Sequence, residues 1–222
     1  MNFIQGRKFL KQKEFGKALE IFKKIEKKNA KDQNIFFYLG LVYFELNQYD
    51  KSIDYYNKFL NKQPNSLSAL YNLALVKQVT GKLEEAKAIY FKLLSINKFN
   101  IRAYYGLYML DSNFLSDEMF KDLFLIKNNN KLNLYDEGLI NFLLSKKEKK
   151  NNEYKKELDY LKDYHEKIFN YNYSYNISSQ FYYNQIINKY FDKIRNEKVD
   201  KKKINQESLD PIYIIGLPRS GS

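Results

Sequence analysis

The feature that most constrains the fold of this chain is an internal repeat, in which residue types recur at positions i, i+34 and i+68. Two small residues, one aromatic residue and one bulky apolar residue recur in a single frame. The four columns are Gly6, Gly40 and Ala74; Ala18, Ser52 and Ala86; Phe22, Tyr56 and Tyr90; and Phe15, Tyr49 and Leu83. Repetition at this period is typical of a solenoid, in which one small structural unit stacks on copies of itself.

Each unit is predicted to be a pair of antiparallel α-helices. The first small residue lets the second helix approach closely, and the second small residue lies where that helix meets the next unit. The aromatic residue fills the space between units. A single helical pair cannot bury its apolar face, so neighbouring pairs stack.

The clearest copy reads "NIFFYLGLVYFELNQYDKSIDYYNKFLNKQPNS". Its repeat residues are Leu39, Gly40, Tyr43, Tyr49, Ser52, Tyr56 and Pro64. This pattern resembles the tetratricopeptide-repeat (TPR) family. The resemblance is clear over residues 1–100 and degenerate over 101–196, and it implies an all-α helical-hairpin solenoid across 1–196.

The later copies depart from the pattern. A fourth begins near Ile101 but has Tyr108 where a small residue is expected, so its packing must differ. Ser116 is predicted to cap the helix that follows. A last helix is predicted at about Ser178 to Asn196. A weaker fifth unit is predicted from Phe142, Leu144, Ser145, Tyr154 and Leu161, with "KKEKKNNEYKK" as its charged turn.

The formal charge of +12 is expected to be a solvated surface, with binding of one patch to an anionic partner as the alternative. Of 38 basic residues, four are Arg: Arg7, Arg102, Arg195 and Arg219. Lys is the poorer residue for bidentate contacts with phosphates and bases. Together with abundant Asn, Ile, Phe and Tyr, it is typical of an AT-rich genome. No nucleic-acid partner is predicted.

Cysteine is absent and His165 is the only histidine, which excludes disulfides, thiolate metal sites and multi-histidine metal sites. No metal is therefore expected. His165 has no neighbouring nucleophile or paired carboxylate and is expected to lie on the surface or in a helix contact. No apolar run is long enough to span a membrane, and the N-terminus lacks the apolar core of a signal peptide. A cytoplasmic location is the default expectation.

The first helices of a stacked TPR array line its concave face. In this chain that face is predicted to carry Phe37, Leu41, Phe44, Tyr71, Leu75, Gln78, Tyr105 and Met109. Such an aromatic groove suits an apolar peptide or helix. The alternative is that these residues pack internally or against the rest of the protein. The groove lacks the cluster of Lys, Arg and Asn with which some TPR domains hold a terminal carboxylate, so that ligand is disfavoured.

A different pattern closes the chain. Residues 197–210 are polar and are predicted to be a linker, and "PIYIIGLPRSGS" follows from Pro211 to Ser222. The run "IYII" is predicted to be a single β-strand, and the sheet that completes it is expected after Ser222. An accidental apolar tail is the alternative. Gly216 and Gly221 have the spacing of a phosphate-binding loop, but Ser222 stands where a nucleotide hydrolase has Lys.

The strand and "GLPRSGS" resemble the sulfotransferase family, in the branch with Arg in the loop that binds the 5′-phosphosulfate of 3′-phosphoadenosine 5′-phosphosulfate (PAPS). That branch includes tyrosylprotein sulfotransferases and bacterial proteins with TPR units ahead of the transferase domain. The resemblance implies that Arg219 contacts the 5′-phosphate and stabilises the leaving oxygen. It implies a PAPS site without metal, formed by Gly216, Pro218, Arg219, Ser220, Gly221 and Ser222.

Two functional hypotheses follow. In the first, the chain is the N-terminal part of a PAPS-dependent sulfotransferase that modifies a hydroxyl or amine, and is inactive alone because the base and the 3′-phosphate site lie beyond Ser222. In the second, the chain is a non-catalytic TPR scaffold for protein–protein interaction.

Overall fold

The computed structural model of the chain describes residues 3–28, 34–129, 132–187 and 189. Two compact units comprise residues 1–172 and 173–222. Within the described residues every regular element is helical, as the repeat predicted. The helices of the first unit form five successive pairs. They are α1 (Phe3–Lys11) and α2 (Phe15–Lys28), α3 (Asn34–Glu45) and α4 (Tyr49–Leu60), α5 (Leu67–Val79) and α6 (Leu83–Ile96), α7 (Ile101–Leu110) and α8 (Asp117–Asn129), and α9 (Leu134–Lys150) and α10 (Tyr154–Tyr171).

Four of these pairs turn through the same backbone motif. The turn residue has a positive φ at Lys13 (59°), Asn47 (56°), Gly81 (75°) and Asn152 (62°). In each turn the next N–H donates to the carbonyl five residues earlier, as from Gln48 to Tyr43 at 2.8 Å. This is the Schellman end of a helix, which satisfies carbonyls that have no partner inside the helix. The first three turns follow one another at the period of the repeat, so the turn belongs to the repeat.

The turn places the bulky apolar column at the start of each second helix. Phe15, Tyr49 and Leu83 are the first residues of α2, α4 and α6. The predicted close approach of the helices is confirmed in the first two pairs. A methyl group on Gly6 would lie 2.6 Å from the Phe22 ring, and one on Gly40 would lie 2.8 Å from the Tyr56 ring. Both aromatic rings are fully buried.

The second small residue of each repeat was predicted to lie where its helix meets the next unit, and at Ser52 this is wrong. The Ser52 hydroxyl donates to the Gly40 carbonyl at 2.8 Å, so it faces α3 of its own pair and not the next one. A hydroxyl buried at this helix contact needs an acceptor, and the nearest carbonyl belongs to its own hairpin. Ala18 and Ala86, at the same repeat position, are likewise fully buried.

The fourth pair differs from the others, as Tyr108 predicted. The backbones of α7 and α8 do not pack closely, and a short 3-10 turn (Ser112–Phe114) joins them. Gly106 takes over the close contact, but with Tyr90 of the preceding pair. Ser116 caps α8 as predicted, because its Oγ accepts from the Met119 N–H at 3.2 Å.

The fifth pair is present, with α9 and α10 packed along their length. Ile168 of α10 lies against Gly138 of α9, where a methyl group would be 2.9 Å from its Cδ1. The charged segment predicted as a turn is only partly one. The helix α9 continues through Lys150, and the turn is confined to residues 151–153.

In the second unit, α11 (Tyr173–Phe181) leads into a π-helix (Tyr182–Ile187). The prediction of a helix beginning at Ser178 was wrong, since Ser178 lies inside α11. Its hydroxyl donates to the Ser174 carbonyl at 2.8 Å, which lets a residue that favours helix starts sit within the helix. The predicted end of the solenoid at 196, the linker 197–210, and the strand and loop of 211–222 lie outside the described residues.

Consecutive first helices contact each other, α3 with α5, α5 with α7 and α7 with α9. Otherwise each pair contacts the pair before it and the pair after it, which is the contact pattern of a solenoid. Within the described ranges, none of the helices combines the length and apolar character needed to cross a membrane.

Candidate functional site

A cleft of about 340 Å³ opens along the face formed by the first helices. Phe37 of α3 forms one side, Tyr71 of α5 forms the floor, and Arg102 of α7 forms the other side. The full lining consists of Phe37, Leu67, Ser68, Tyr71, Asn72, Asn100 and Arg102. Three successive helical pairs therefore contribute to one groove.

The aromatic residues along this face recur with the period of the repeat. Phe37, Tyr71 and Tyr105 are each one repeat apart and occupy the same position on α3, α5 and α7. All three are half-buried, so part of each ring is available to a ligand. Phe37 also packs on the Phe59 ring, with centroids 5.5 Å apart, which fixes its orientation.

The aromatic surface continues past the cleft towards the fifth pair. Phe142 of α9 contacts three other aromatic residues, and the centroid of its ring lies 5.7 Å from that of Tyr105, 5.6 Å from that of Tyr108 and 5.3 Å from that of Tyr164. Edge-to-face and tilted pairs of this kind are the favoured arrangements of aromatic rings. Burial raises the pKa of Tyr105, with the neighbouring tyrosines adding to the effect, so its phenol is a neutral donor at physiological pH.

The polar side of the groove centres on Arg102. Its Nε lies 3.4 Å from Asp136 Oδ1, and its guanidinium lies 5.3 Å from the centre of the Tyr135 ring. Asp136 is held in turn by Asn133, whose Nδ2 donates to it at 2.7 Å. The guanidinium is thus positioned by α9 while its side chain remains nearly half-exposed, so it can still donate to a ligand.

Tyr71 and Asn72 are further polar residues of the cleft, together with Ser68 and Asn100. Burial raises the pKa of Tyr71, and the nearby Arg102 charge offsets part of that rise. Asn72 lies beside the buried Tyr56 hydroxyl, whose pKa burial also raises. An amide side chain donates and accepts at once, which matches the needs of a peptide backbone.

Of the residues predicted for the groove, Phe37 and Tyr71 line the cleft, whereas Tyr105 and the others lie outside its lining. Leu41 and Phe44 pack into the apolar cluster between α4 and α5, as the alternative of internal packing anticipated. Leu75 is half-buried, and Gln78 accepts a hydrogen bond from the Tyr90 hydroxyl at 3.0 Å. Met109 is 50% exposed.

The prediction missed Leu67, Ser68, Asn72, Asn100 and Arg102. A signal for two of them was present, because Ser68 and Arg102 are one repeat apart and each lies three positions before a groove aromatic. Residues three apart on a helix share a face. Asn100 required the structure, since it enters as the N-cap of α7, with its Oδ1 accepting from the Ala103 N–H at 3.2 Å.

Groups suited to catalysis do not converge here. His165 is exposed, with its ring 4.9 Å from that of Tyr164. Over the described residues, no group of three or more acidic, histidine or cysteine side chains is placed to hold a metal ion. The residues predicted to bind PAPS lie outside the described part of the chain. The groove offers aromatic surface and neutral or cationic donors, which is the chemistry of binding.

Comparison with known proteins agrees with this architecture. Residues 11–93 match the sequence family described as anaphase-promoting complex, cyclosome, subunit 3. A crystal structure of the TPR protein YrrB, described as having an unusual peptide-binding site, is 15% identical and superposes with a TM-score of 0.51. The match covers 73% of this chain and 82% of YrrB. The chain has a TPR fold.

Two further solved structures are similar to the chain to a comparable degree. A crystal structure of MamA is 19% identical, with a TM-score of 0.54 over 75% of this chain and 95% of MamA. The TPR protein TTC0263 from Thermus thermophilus is 14% identical, with a TM-score of 0.52 over 73% of this chain and 88% of its own. No curated protein sequence matches the chain.

Proposed function

We propose that this protein is a TPR scaffold that binds an extended peptide segment of a partner protein in the groove between Phe37, Tyr71 and Arg102. The observation that carries the proposal is that three successive pairs contribute rings and hydrogen-bonding side chains to one cleft. The peptide-binding site named for YrrB, which has the same fold, supports it.

The ligand chemistry follows from the lining. Phe37 and Tyr71 offer apolar surface to a side chain, while Asn72 and Arg102 offer hydrogen bonds to a peptide backbone. Arg102 is already paired with Asp136, so its positive charge is partly compensated. We therefore expect an uncharged segment with one or two apolar anchors, in preference to a free terminal carboxylate.

The test is selection of peptides from a random library on the immobilised full chain, followed by fluorescence anisotropy. Ser68→Arg fills the exposed edge of the groove and is expected to weaken binding at least about tenfold. Ser95→Arg, on α6 and outside the groove, is the matched control. Enrichment of peptides that bind Ser68→Arg as tightly as wild type would remove the groove as the binding site.

The sulfotransferase hypothesis is a second candidate, supported by the sequence "PIYIIGLPRSGS" alone. In it the groove serves a chain that transfers a sulfuryl group from PAPS to a hydroxyl or amine. Arg219 would contact the 5′-phosphate, and Ser220 and Ser222 would bind phosphate oxygens, in a reaction that depends on positioning and charge. A cytoplasmic location suits both candidates and rests on the same sequence features as before.

This second candidate is tested by PAPS titration against a chain that includes whatever the gene encodes after Ser222. Arg219→Ala is expected to weaken binding by at least about tenfold, since it removes a charge-assisted contact. Equal affinity of the two chains would take Arg219 out of the site.

A further inference from the structure

A second cleft, of about 410 Å³, lies where α7 ends and α9 ends. It is separate from the groove and shares no lining residue with it. Its lining consists of Tyr108, Ser112, Asn113, Leu115, Phe120, Lys146, Lys149 and Lys150. The cleft exists because α7 and α8 do not pack closely, which leaves space beside the 3-10 turn.

The polar lining of this cleft is entirely made of groups that can donate hydrogen bonds. It offers three ammonium groups, two hydroxyls and one side-chain amide, and none of the lining residues is acidic. Asp111, next to Ser112, caps the 3-10 turn, with its Oδ1 accepting from the Asn113 N–H at 2.8 Å, while Asp117 and Glu148 line a different cleft. A concave site with this lining attracts an anion.

The lysines of the cleft are available for such a ligand. Lys147 is the lysine of this segment that forms an ion pair, with Asp117, and it does not line the cleft. Within the described residues, Lys149 and Lys150 form no ion pair, although the charge of Lys150 contributes to lowering the pKa of Asp117. Lys146 lines the cleft and lies 4.7 Å from the centre of the Phe142 ring, a contact that leaves its charge without an acidic partner in the described part of the chain.

The position of these lysines lowers the cost of bringing them together. They occupy the last turn of α9 or lie next to it, where the helix dipole favours positive charge. The floor is apolar and buried, formed by Leu115 and Phe120. The Tyr108 hydroxyl is a donor at physiological pH, as a tyrosine ordinarily is, and burial raises its pKa further.

We propose that this cleft binds a phosphate ester whose organic part is apolar or aromatic. Lysine ammonium groups bind phosphate as point charges, and hydroxyl and amide donors complete its coordination. The floor of Leu115 and Phe120 accommodates the body of the ligand. Several donors around one anion favour a phosphate dianion over a single carboxylate.

The experiment is titration of the full chain with phenyl phosphate, inorganic pyrophosphate and benzoate, followed by calorimetry and by chemical shifts. Phenyl phosphate is expected to bind saturably and more tightly than benzoate. Pyrophosphate tests whether the charge alone is sufficient, and binding weaker than that of phenyl phosphate supports the apolar floor. Benzoate binding as tight as that of phenyl phosphate, or no saturable binding of any probe, overturns the proposal.

Two variants locate the site. Lys149→Gln with Lys150→Gln is expected to weaken phenyl phosphate binding about tenfold. Lys8→Gln with Lys11→Gln removes the same charge from the last turn of α1 and is expected to leave binding within about twofold. Equal weakening in both variants would show general attraction to the basic chain and would sink the proposed site. Tyr108→Phe, which keeps the ring packing, is expected to weaken binding by about threefold.

Discussion

Tyr90 packs its ring against Gly106 of the following helical pair, so closely that a methyl group on Gly106 would overlap the ring at Cζ. Phe22 and Tyr56, at the same repeat position, instead contact Gly6 and Gly40 of their own pairs. Tyr90 thus joins two hairpins, while its hydroxyl still donates to Gln78 of its own pair at 3.0 Å. The change occurs where the fourth pair loses its small residue to Tyr108.

We predict that adding a side chain at Gly40 or Gly106 destabilises the protein. Gly40→Ala and Gly106→Ala force a buried ring to move and are expected to destabilise the protein by about 1–3 kcal/mol each. Gly16→Ala is the control, since nothing lies within 4 Å of its added methyl group. That change should stabilise α2 by about 0.5–1 kcal/mol. Urea unfolding measures all three, and a neutral Gly106→Ala would contradict the close contact.

At a Schellman turn, by contrast, introducing a glycine is predicted to increase the stability of the protein. Lys13 holds a positive φ of 59° that glycine adopts without strain, and Gly81 already supplies it at the equivalent turn. Lys13→Gly is expected to stabilise the chain by a few tenths to about 1 kcal/mol, and Gly81→Ala to destabilise it by about 1 kcal/mol. Thermal unfolding of the two variants should shift in opposite directions. Shifts of the same sign would mean that backbone strain is not the cause.

Alkaline pH should destabilise the protein through its buried tyrosines. Burial raises the pKa of Tyr104 to about 12, with the Asp122 carboxylate adding to the rise. In the unfolded chain the phenol ionises near pH 10, so the stabilisation is complete below about pH 10 and is lost as pH rises towards 12. The free energy of unfolding, followed by circular dichroism, is expected to fall across that interval.

Tyr104→Phe isolates this contribution. The variant loses the hydrogen bond to the Lys98 carbonyl, at 3.1 Å, and should be about 1 kcal/mol less stable at neutral pH. Its stability should nevertheless fall less steeply above pH 10, because the variant lacks one phenol with a raised pKa. Tyr175→Phe, at a residue that is 74% exposed, is the control and should keep the steep decline. Identical slopes in all three proteins would rule out Tyr104 as a source of the pH dependence.

A polar cluster couples the first two pairs. Lys23 Nζ donates to Tyr55 Oη at 2.5 Å, and Tyr55 Oη donates to Glu26 Oε1 at 3.0 Å. Tyr55→Phe removes both contacts but keeps the ring stacked on Tyr43. A double-mutant cycle of Tyr55→Phe with Glu26→Gln is expected to give a coupling of about 0.5–1.5 kcal/mol. Additive effects would show that the cluster does not link α2 to α4.

The residue pattern predicted most of the fold because the repeat records packing directly. A glycine followed 16 positions later by an aromatic residue, as at Gly40 and Tyr56, fits few helical arrangements other than an antiparallel pair in close contact. The Schellman geometry of the turns was not predicted, since the identity of Lys13 gives no sign that it adopts a positive φ. The acceptor of the Ser52 hydroxyl could not be predicted from the sequence either, because a buried hydroxyl can face either neighbouring helix.

The groove was only half predicted, for a related reason. Apolar positions such as Phe37 and Tyr71 follow from helical periodicity, but so does Phe44, which packs against the same apolar cluster as Phe37 and does not line the cleft. The sequence placed Arg102 one repeat after Ser68, but its contact with Asp136 of α9, one full repeat further along the chain, required the structure. The cleft with Lys149 and Lys150 arises from a departure from the repeat, which a periodic pattern cannot describe.

The nearest-neighbour contacts of the helical pairs have a mechanical consequence. Because the described pairs rely on their immediate neighbours, a stretching force applied at the ends of the first unit meets the pairs in series. The unit should lengthen in steps, one pair at a time, and any pair still folded can template the return of its neighbours. Such a unit extends under load and recoils when the load is removed.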